Sequence, residues 1–531
     1  MKLIKIICSL YLTLFLINQA DSQVTEEWAA IFNGSGNTND AASDIIIDVS
    51  GNIIVTGRSV TSSPTANFNT VKYNSAGVQQ WSVIYNGPSN DYDEPFGLVA
   101  DASGNIYVTG MSYSAITNYD IVLVKYNSSG IEQWVRSWSN AGSLSDIPND
   151  ITIDVTGNIY ITGESSITTS SNYITLKYNS AGSLQWAKQY NAGTAHGIEA
   201  DAAGNVYVTG QGEFTTSGSD FLTIKYNSVG DSLWVRRYGS VDFNERPTAF
   251  ALDQNGNCYI TGTVTPGNTS GFLTVKYNTA GVQQWVAGND SANKPEDVEV
   301  DILGNVYVTG SSFAGTSANC ATIKFNSSGV RQWISIYNYL PEALGDYAND
   351  LELDAAGNVY ITGSSQTQGG TNRDVLTVKY NNDGVEKWVA RYDAANSEEA
   401  FALALDAPGN VYIAGYRTIT PNTDFLTIKY SQTVGINQIS SEIPDGFSLS
   451  QNYPNPFNPV TNLEFAISDL GFVTLKIYDI NGREISTLVN EKMSAGSYIV
   501  QWDASNYSSG SYLYKLDSEG FTETKKMILM K

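Results

Sequence analysis

The sequence predicts an all-β chain: an eight-bladed β-propeller followed by a small Ig-like β-sandwich. Three observations predict it. A ten-residue phrase, seen as Asp101-Ala-Ser-Gly-Asn-Ile-Tyr-Val-Thr-Gly110 and Asp201-Ala-Ala-Gly-Asn-Val-Tyr-Val-Thr-Gly210, recurs eight times. Its opening aspartates, Asp48, Asp101, Asp154, Asp201, Asp253, Asp301, Asp354 and Asp406, stand 53, 53, 47, 52, 48, 53 and 52 residues apart. A repeat of that length marks stacked or radially arranged units. Each repeat also holds four short runs rich in Val, Ile, Thr, Tyr and Trp, broken by Gly and Asn, and four strands per unit describe a propeller blade.

Composition narrows the function classes. The 531 residues are 42% apolar, enough for a packed core, and carry 53 Asp and Glu against 29 Lys and Arg, a net charge of -24. Nucleic acid is excluded as a partner, because binding it rests on neutralising phosphates with Lys and Arg. A single histidine, His196, rules out sites built from several imidazoles. Of the three cysteines, Cys8 falls in the leader, while Cys258 and Cys320 occupy apolar strand positions and read as buried thiols, with a disulfide between neighbouring units as the alternative.

In chain order, Lys2 and Lys5, the apolar run Ile6 to Ile17 and the exit Asn18-Gln-Ala-Asp-Ser-Gln23 describe a signal peptide over residues 1–22. No later stretch is long enough to cross a bilayer as a helix, so no transmembrane segment is expected in the mature chain. The propeller is placed at 24–431. In each repeat the first strand precedes the phrase (Pro95 to Asp101), the second is the phrase itself, the third ends in Lys-Tyr (Asp220 to Tyr226), and the fourth opens on Trp (Gln80 to Tyr85). Repeat eight stops at Tyr430 without its Trp strand, while Glu26-Glu-Trp-Ala-Ala-Ile-Phe32 is a fourth strand without a repeat. Pairing the two closes the ring and leaves no open sheet edge; a seven-bladed ring with an extra unit is the alternative.

The Asp-x-x-Gly-Asn phrases and Lys-Tyr-Asn ends, such as Lys125-Tyr-Asn127, resemble the SBBP family over roughly residues 24 to 431. That family is named for a seven-bladed propeller, and the count of eight departs from the name. The resemblance implies a fold and no defined activity.

Residues 432–448 read as a polar linker. Then come Asn452-Tyr-Pro-Asn-Pro-Phe-Asn-Pro459, a hairpin around Asn481-Gly482 whose two central residues are expected at positive φ, and further alternating strands up to Lys525-Lys-Met-Ile-Leu-Met-Lys531. The Tyr-Pro-Asn-Pro-Phe-Asn-Pro opening, the Tyr-Asp-x-x-Gly-Arg hairpin, the Ala495-Gly-Ser-Tyr and Ser509-Gly-Ser-Tyr turns and the basic-apolar end resemble, in order, the type A C-terminal sorting domain of the type IX secretion system. The resemblance implies that residues 449–531 are read by the type IX secretion machinery after periplasmic export. The expected location is the outer cell surface or the extracellular medium.

The phrase aspartates suit tight turns, where a carboxylate caps backbone N–H groups and Gly or Asn accepts positive φ. The lysines Lys72, Lys125, Lys177, Lys225, Lys276, Lys324, Lys379 and Lys429 are expected at the same end as those aspartates, and the once-per-repeat tryptophans between blades. A separate set, Asp44, Asp150, Asp297 and Asp350, stands four residues before its phrase aspartate, where other repeats hold Gly97, Gly197, Ala249 and Ala402. Near the start of innermost strands these four form a candidate cation site, with calcium as the candidate ion, or they cap backbone N–H groups. No other cofactor is implied. No nucleophile elbow, P-loop or dinucleotide fingerprint occurs. The sequence points to a non-enzymatic binding, adhesion or scaffold module for an unidentified extracellular glycan or protein. The alternatives are a polysaccharide-acting hydrolase or lyase using carboxylates, and a quinoprotein-like enzyme.

Overall fold

The computed structural model describes residues 24–531 apart from 35, 37, 63–64, 142–143, 168–169, 192, 215–217, 240–243, 266–270, 290–293, 315–316, 340–344, 367–371, 395, 433–436, 441–442, 505–506 and 519. The signal peptide expected at 1–22 lies outside the described residues. All described secondary structure is β, and contacts divide it into two compact units, Val24–Gln432 and Thr433–Lys531.

Strands of the larger unit pair antiparallel in sequence order, four to a sheet, as in Gly193–Ala200, Val206–Phe214, Gly218–Tyr226 and Ser232–Tyr238. The sheets are numbered here by their phrase aspartates, from sheet 1 with Asp48 to sheet 8 with Asp406. Sheets 2 and 3 are additionally joined by one parallel bridge between Tyr119 and Ser145. Second and third strands lose the polar alternation of a one-sided sheet because both of their faces are covered: Val206, Tyr207 and Val208 are all buried. The cover comes from the neighbouring sheet. One apolar cluster, for instance, joins Tyr107, Ile121 and Leu123 of sheet 2 to Ile151, Ile159 and Ile174 of sheet 3.

The first strand of each sheet touches the first strand of the next, and Glu398–Leu405 of sheet 8 touches Asp40–Ile47 of sheet 1. The N-terminal strand Val24–Phe32 completes sheet 8: it runs antiparallel to Asn422–Gln432, with Trp28 opposite Lys429 and Phe32 opposite Phe425. Sheet 8 has no fourth strand of its own, so this pairing covers an edge that would otherwise be exposed.

The phrase forms the turn its residues demand. Asp101 Oδ1 accepts the N–H groups of Ser103 and Asn105, each at 2.9 Å, and the Asn105 side chain donates to Oδ2 at 2.7 Å. Gly104 takes φ of +75°, which a side chain would resist.

The smaller unit holds two four-stranded sheets around one apolar core that includes Leu463, Phe465, Ile477, Val500, Trp502 and Tyr514. Two expectations are corrected here. Asn437–Ser440, assigned to a linker, is a strand that pairs with Gly496–Asp503. As an outermost strand it needs only backbone partners, so its polar sequence carries no apolar alternation. In the Asn481-Gly482 hairpin only Gly482 has positive φ, at 81°. Asp479 Oδ1 caps the N–H groups of Asn481 and Arg483, so the Asp-x-x-Gly turn of the repeats recurs in place of a two-residue turn.

Candidate functional site

The first strand of every sheet is interrupted at one point. The register shifts between Ala42 and Asp44, Pro95 and Gly97, Pro148 and Asp150, Ala195 and Gly197, Pro247 and Ala249, Pro295 and Asp297, Ala348 and Asp350, and Ala400 and Ala402. Such a bulge frees one residue from the ladder and re-aims the next. The residue following the bulge is the position of the four candidate aspartates, which explains why Gly or Ala stands there in other sheets.

The aspartates reach from one sheet to the next. Asp44 accepts the N–H of Ile45 at 2.7 Å and that of Leu98 in sheet 2 at 2.8 Å. Asp150 accepts from Ile151 at 2.7 Å and from Ile198 in sheet 4 at 2.8 Å. Asp350 accepts from Leu351 at 2.9 Å and from Leu403 in sheet 8 at 2.6 Å. Asp297 accepts the same Leu351 N–H at 3.0 Å, so it and Asp350 meet at one backbone donor, and Asp297 adds to the rise of the Asp350 pKa that burial causes. Two carboxyls this close disfavour ionising together.

Two residues further along the same strands stand Glu199, Glu299 and Glu352, which sequence reading did not single out. Burial pushes the Glu199 carboxyl up to about 8, with Asp150 and Asp297 adding to the rise. Burial lifts Glu352 to about 7, helped by Asp297, and raises Glu299 strongly, helped by Glu352, Asp297 and Glu199. Asp44 rises to about 6 and Asp150 to about 7 through burial, although their backbone hydrogen bonds oppose it. Asp297 and Asp350 are raised by burial as well. A spacing of two residues along a strand would have found the glutamates, since it returns to the same face.

A second overlooked set lies four residues before the bulge position: Asp40, Asp93, Asp146, Glu245, Asp346 and Glu398, all buried. Several hold the chain as it arrives from the previous sheet, with Gly34, Gly87 and Asn140 donating to Asp40, Asp93 and Asp146 at 2.7, 2.7 and 2.8 Å. Gly87 is required there, because a Cβ would stand 2.2 Å from Ser112 Oγ. Glu398 approaches Asp374 and Asp393 within 4.8 Å, but Arg391 pairs with Asp374 at 2.6 Å and Arg417 lies 4.0 Å from Glu398, an ion network rather than an open acidic pocket.

The phrase aspartates and the lysines share one end, as expected. Lys72 pairs with Asp48 at 2.7 Å. Burial pushes the Asp48 pKa up, yet the bonds from Lys72 and Asn52 outweigh it and leave it below the usual range. In the other sheets a tyrosine stands beside the aspartate: Tyr160 donates to Asp154 at 2.9 Å and Lys177 lies 5.0 Å from the Tyr160 ring centre, while in sheet 4 Lys225 reaches both the Tyr207 hydroxyl and, at 3.6 Å, Asp201. Ile54 replaces that tyrosine in sheet 1, which lets Lys72 reach the carboxylate directly.

The lysines also reach into the next sheet. Lys125, Lys177 and Lys276 donate to the carbonyls of Ser180, Ser228 and Ser327 at 3.0, 2.9 and 3.4 Å, and Lys429 of sheet 8 donates to Ser75 of sheet 1 at 3.3 Å. Tryptophans of the fourth strands use the same acceptors: Trp186 and Trp285 donate to Ser228 and Ser327 at 3.2 and 3.0 Å. These tryptophans are packing and stapling groups. His196 is half-buried; burial pushes its pKa down against the opposing charge of Glu164. Cys258 and Cys320 are free, buried thiols, without the alternative disulfide.

Two family models match the chain. Residues 80–116 match the beta-propeller repeat family SBBP, and residues 451–530 match the secretion system C-terminal sorting domain. Comparison with curated proteins finds none that matches. Among solved structures, a protein of unknown function from Dyadobacter fermentans is 11% identical, with a TM-score of 0.40, 77% of this chain and 99% of that chain being covered. PorZ, a surface component of the type IX secretion system of Porphyromonas gingivalis, is 13% identical, with a TM-score of 0.27 and coverage of 94% and 75%. Dipeptidyl peptidase 4 of Porphyromonas gingivalis is 9% identical, with a TM-score of 0.41 and coverage of 82% and 65%. The protein therefore carries an SBBP beta-propeller repeat and a type IX C-terminal sorting domain, and is exported to the outer cell surface or beyond it.

Proposed function

We propose that the protein is an exported, non-enzymatic binding, adhesion or scaffold module: a propeller of eight blades over residues 24–431, carried out by an Ig-like sorting domain at 449–531 behind a leader at 1–22. The observation that carries this reading is how the acidic groups are used. Asp44, Asp150 and Asp350 each hold a backbone N–H of the neighbouring first strand, so they join sheets together rather than face a reactant. The connections between repeats differ in length and sequence and supply the surface for an extracellular glycan or protein.

The four aspartates remain the proposed cation site, with calcium as the ion competing with those backbone N–H groups for the carboxylate oxygens. Calorimetry with calcium, comparing the full chain with its Asp150→Ala, Asp350→Ala variant, tests it; equal heats in both would remove it. A glycan and peptide array probed with the full chain tests the binding reading. Signal confined to no class of probe counts against it.

A second reading, a polysaccharide-acting hydrolase or lyase, is favoured by Glu199 and Glu352. Carboxyls raised to about 8 and 7 can hold the proton a general acid delivers. Polysaccharide breakdown abolished by Glu199→Gln would establish it in place of the first.

A further inference from the structure

One contact between neighbouring sheets changes its chemistry at a single place. The hairpin residue whose carbonyl receives the preceding sheet's lysine carries a hydroxyl in Ser75, Ser128, Ser180, Ser228, Thr279 and Ser327. In sheet 7 it is Asn382, a carboxamide.

Lys324 Nζ, buried at the end of the third strand of sheet 6, contacts both Oδ1 and, at 3.2 Å, the main-chain oxygen of Asn382. The Tyr307 hydroxyl lies 3.1 Å from Asn382 Oδ1 and 3.1 Å from Asp301 Oδ2. The Tyr307 ring lies beneath the amine, 5.0 Å from Nζ to its centre. Asn382 Nδ2 makes one long hydrogen bond, 3.3 Å to the Ala356 carbonyl. An amine, a carboxamide, a hydroxyl on the carboxamide oxygen and a carboxylate behind that hydroxyl stand together here.

We propose that Lys324 and Asn382 join in an intramolecular isopeptide bond that fastens sheet 6 to sheet 7. The neutral Nζ attacks Cγ of Asn382, forming the new C–N bond and placing negative charge on Oδ1. The Tyr307 O–H donates to that oxygen as the charge develops. Collapse breaks the Cγ–Nδ2 bond, and Nδ2 leaves as ammonia carrying the proton that Nζ gives up. Amine and carboxamide become a secondary amide and ammonia, so the step balances without an oxidant, a metal or a cofactor.

Two physical features favour the reaction. Burial pushes the Lys324 pKa down against the pull of Asp301 and Asp383, which enlarges the neutral, nucleophilic fraction. The folded sheets hold the reactants together, and intramolecular reactions with well-aligned partners reach effective concentrations of about 10⁵ M and above. The neighbouring amide contact, Lys379 with Gln432, differs: Gln432 Nε2 bonds to the Gly409 carbonyl and to Tyr360 Oη at 3.0 Å, so its leaving nitrogen is tied down.

Tryptic mapping of the purified full chain by mass spectrometry tests the bond. The expected product is a branched peptide, uncut after Lys324, joined to Tyr380–Lys387 and lighter than the sum of its parts by one ammonia. Asn382→Ser, which restores the residue type of the other hairpins, should fold and lose the branched peptide completely. Complete cleavage after Lys324 in the folded wild-type chain overturns the proposal, as does a branch mapped to Lys379 and Gln432 instead.

Discussion

The Trp28 indole donates to the Ser75 carbonyl across 3.2 Å, joining the N-terminal strand of sheet 8 to a hairpin of sheet 1. The same indole packs against Tyr73 and Tyr412, with ring centres 6.1 and 6.2 Å away. The two ends of the repeat array are therefore held by a copy of the staple used between consecutive sheets. Trp28→Ala should cost about 3 kcal/mol, the lower end for removing a packed tryptophan because Trp28 is only half-buried. Urea unfolding of the full chain measures it, and a loss within experimental error would mean that the seam is not a stability determinant.

Gln432 sits where sheet 8 lacks a hairpin of its own. Its side-chain oxygen takes the part of the missing carbonyl, accepting from Lys379 and, at 3.4 Å, from Trp388. Gln432→Ala should destabilise by about 1–2 kcal/mol, the range for leaving a partly buried donor unsatisfied. In a double-mutant cycle with Lys379→Met the two losses should fall short of additivity; strict additivity would mean that the two residues are not partners.

Stability should fall as the pH rises from about 5 to about 8. Glu199, Glu352, Asp150 and Asp44 titrate at about 8, 7, 7 and 6 when folded, above their unfolded values. The folded chain thus holds more protons than the unfolded chain in that window, so stability present at low pH is lost as these groups ionise. The groups facing them across the first strands are Asp297, Asp350 and Glu299, carboxyls themselves, so ionisation meets like charge. Unfolding midpoints at pH 5 and pH 8 check this, and Glu199→Gln with Glu352→Gln should flatten the slope.

The turn aspartates act with the opposite sign at lower pH. Burial raises Asp154, but Asn158 and Thr156 outweigh it and hold its pKa at about 2. Its stabilising contribution is present above the unfolded value near 4 and is lost as pH falls towards 2. Asp154→Ala should lower stability by about 2 kcal/mol at pH 6, the scale for hydrogen bonds to a charged acceptor, and by progressively less as the solution is acidified. A loss independent of pH would assign the effect to backbone strain instead.

Passage across the outer membrane should depend on the C-terminal unit. Deleting residues 451–530, the segment that matches the sorting domain, should leave the larger unit in the cell and abolish its appearance at the surface. Surface labelling and fractionation read the outcome, and unchanged export would deny the segment that role.

Much of this architecture is local chemistry repeated. An Asp-x-x-Gly sequence closes the same turn in the repeats and again at Asp479, because the carboxylate, the N–H groups it caps and the positive-φ glycine lie within five residues of one another. The spare Trp strand at the N-terminus and the missing one after Tyr430 foreshadow their pairing in sheet 8, since an unpaired edge needs a partner. The sorting segment was likewise legible, being a run of adjacent residues.

What the sequence determined by itself was therefore whatever depends on neighbours in the chain: the strands, their turns, the repeat count and the destination. Only the tertiary structure decided that Asp44 reaches Leu98, that Asp297 and Asp350 meet at the Leu351 N–H, that Glu199 joins them, and that Lys324 meets Asn382. Those relationships cross from one sheet to the next, between residues about 50 positions apart. The bulge that aims the first-strand acids and the packing that withdraws them from water exist only once the sheets have closed around one another.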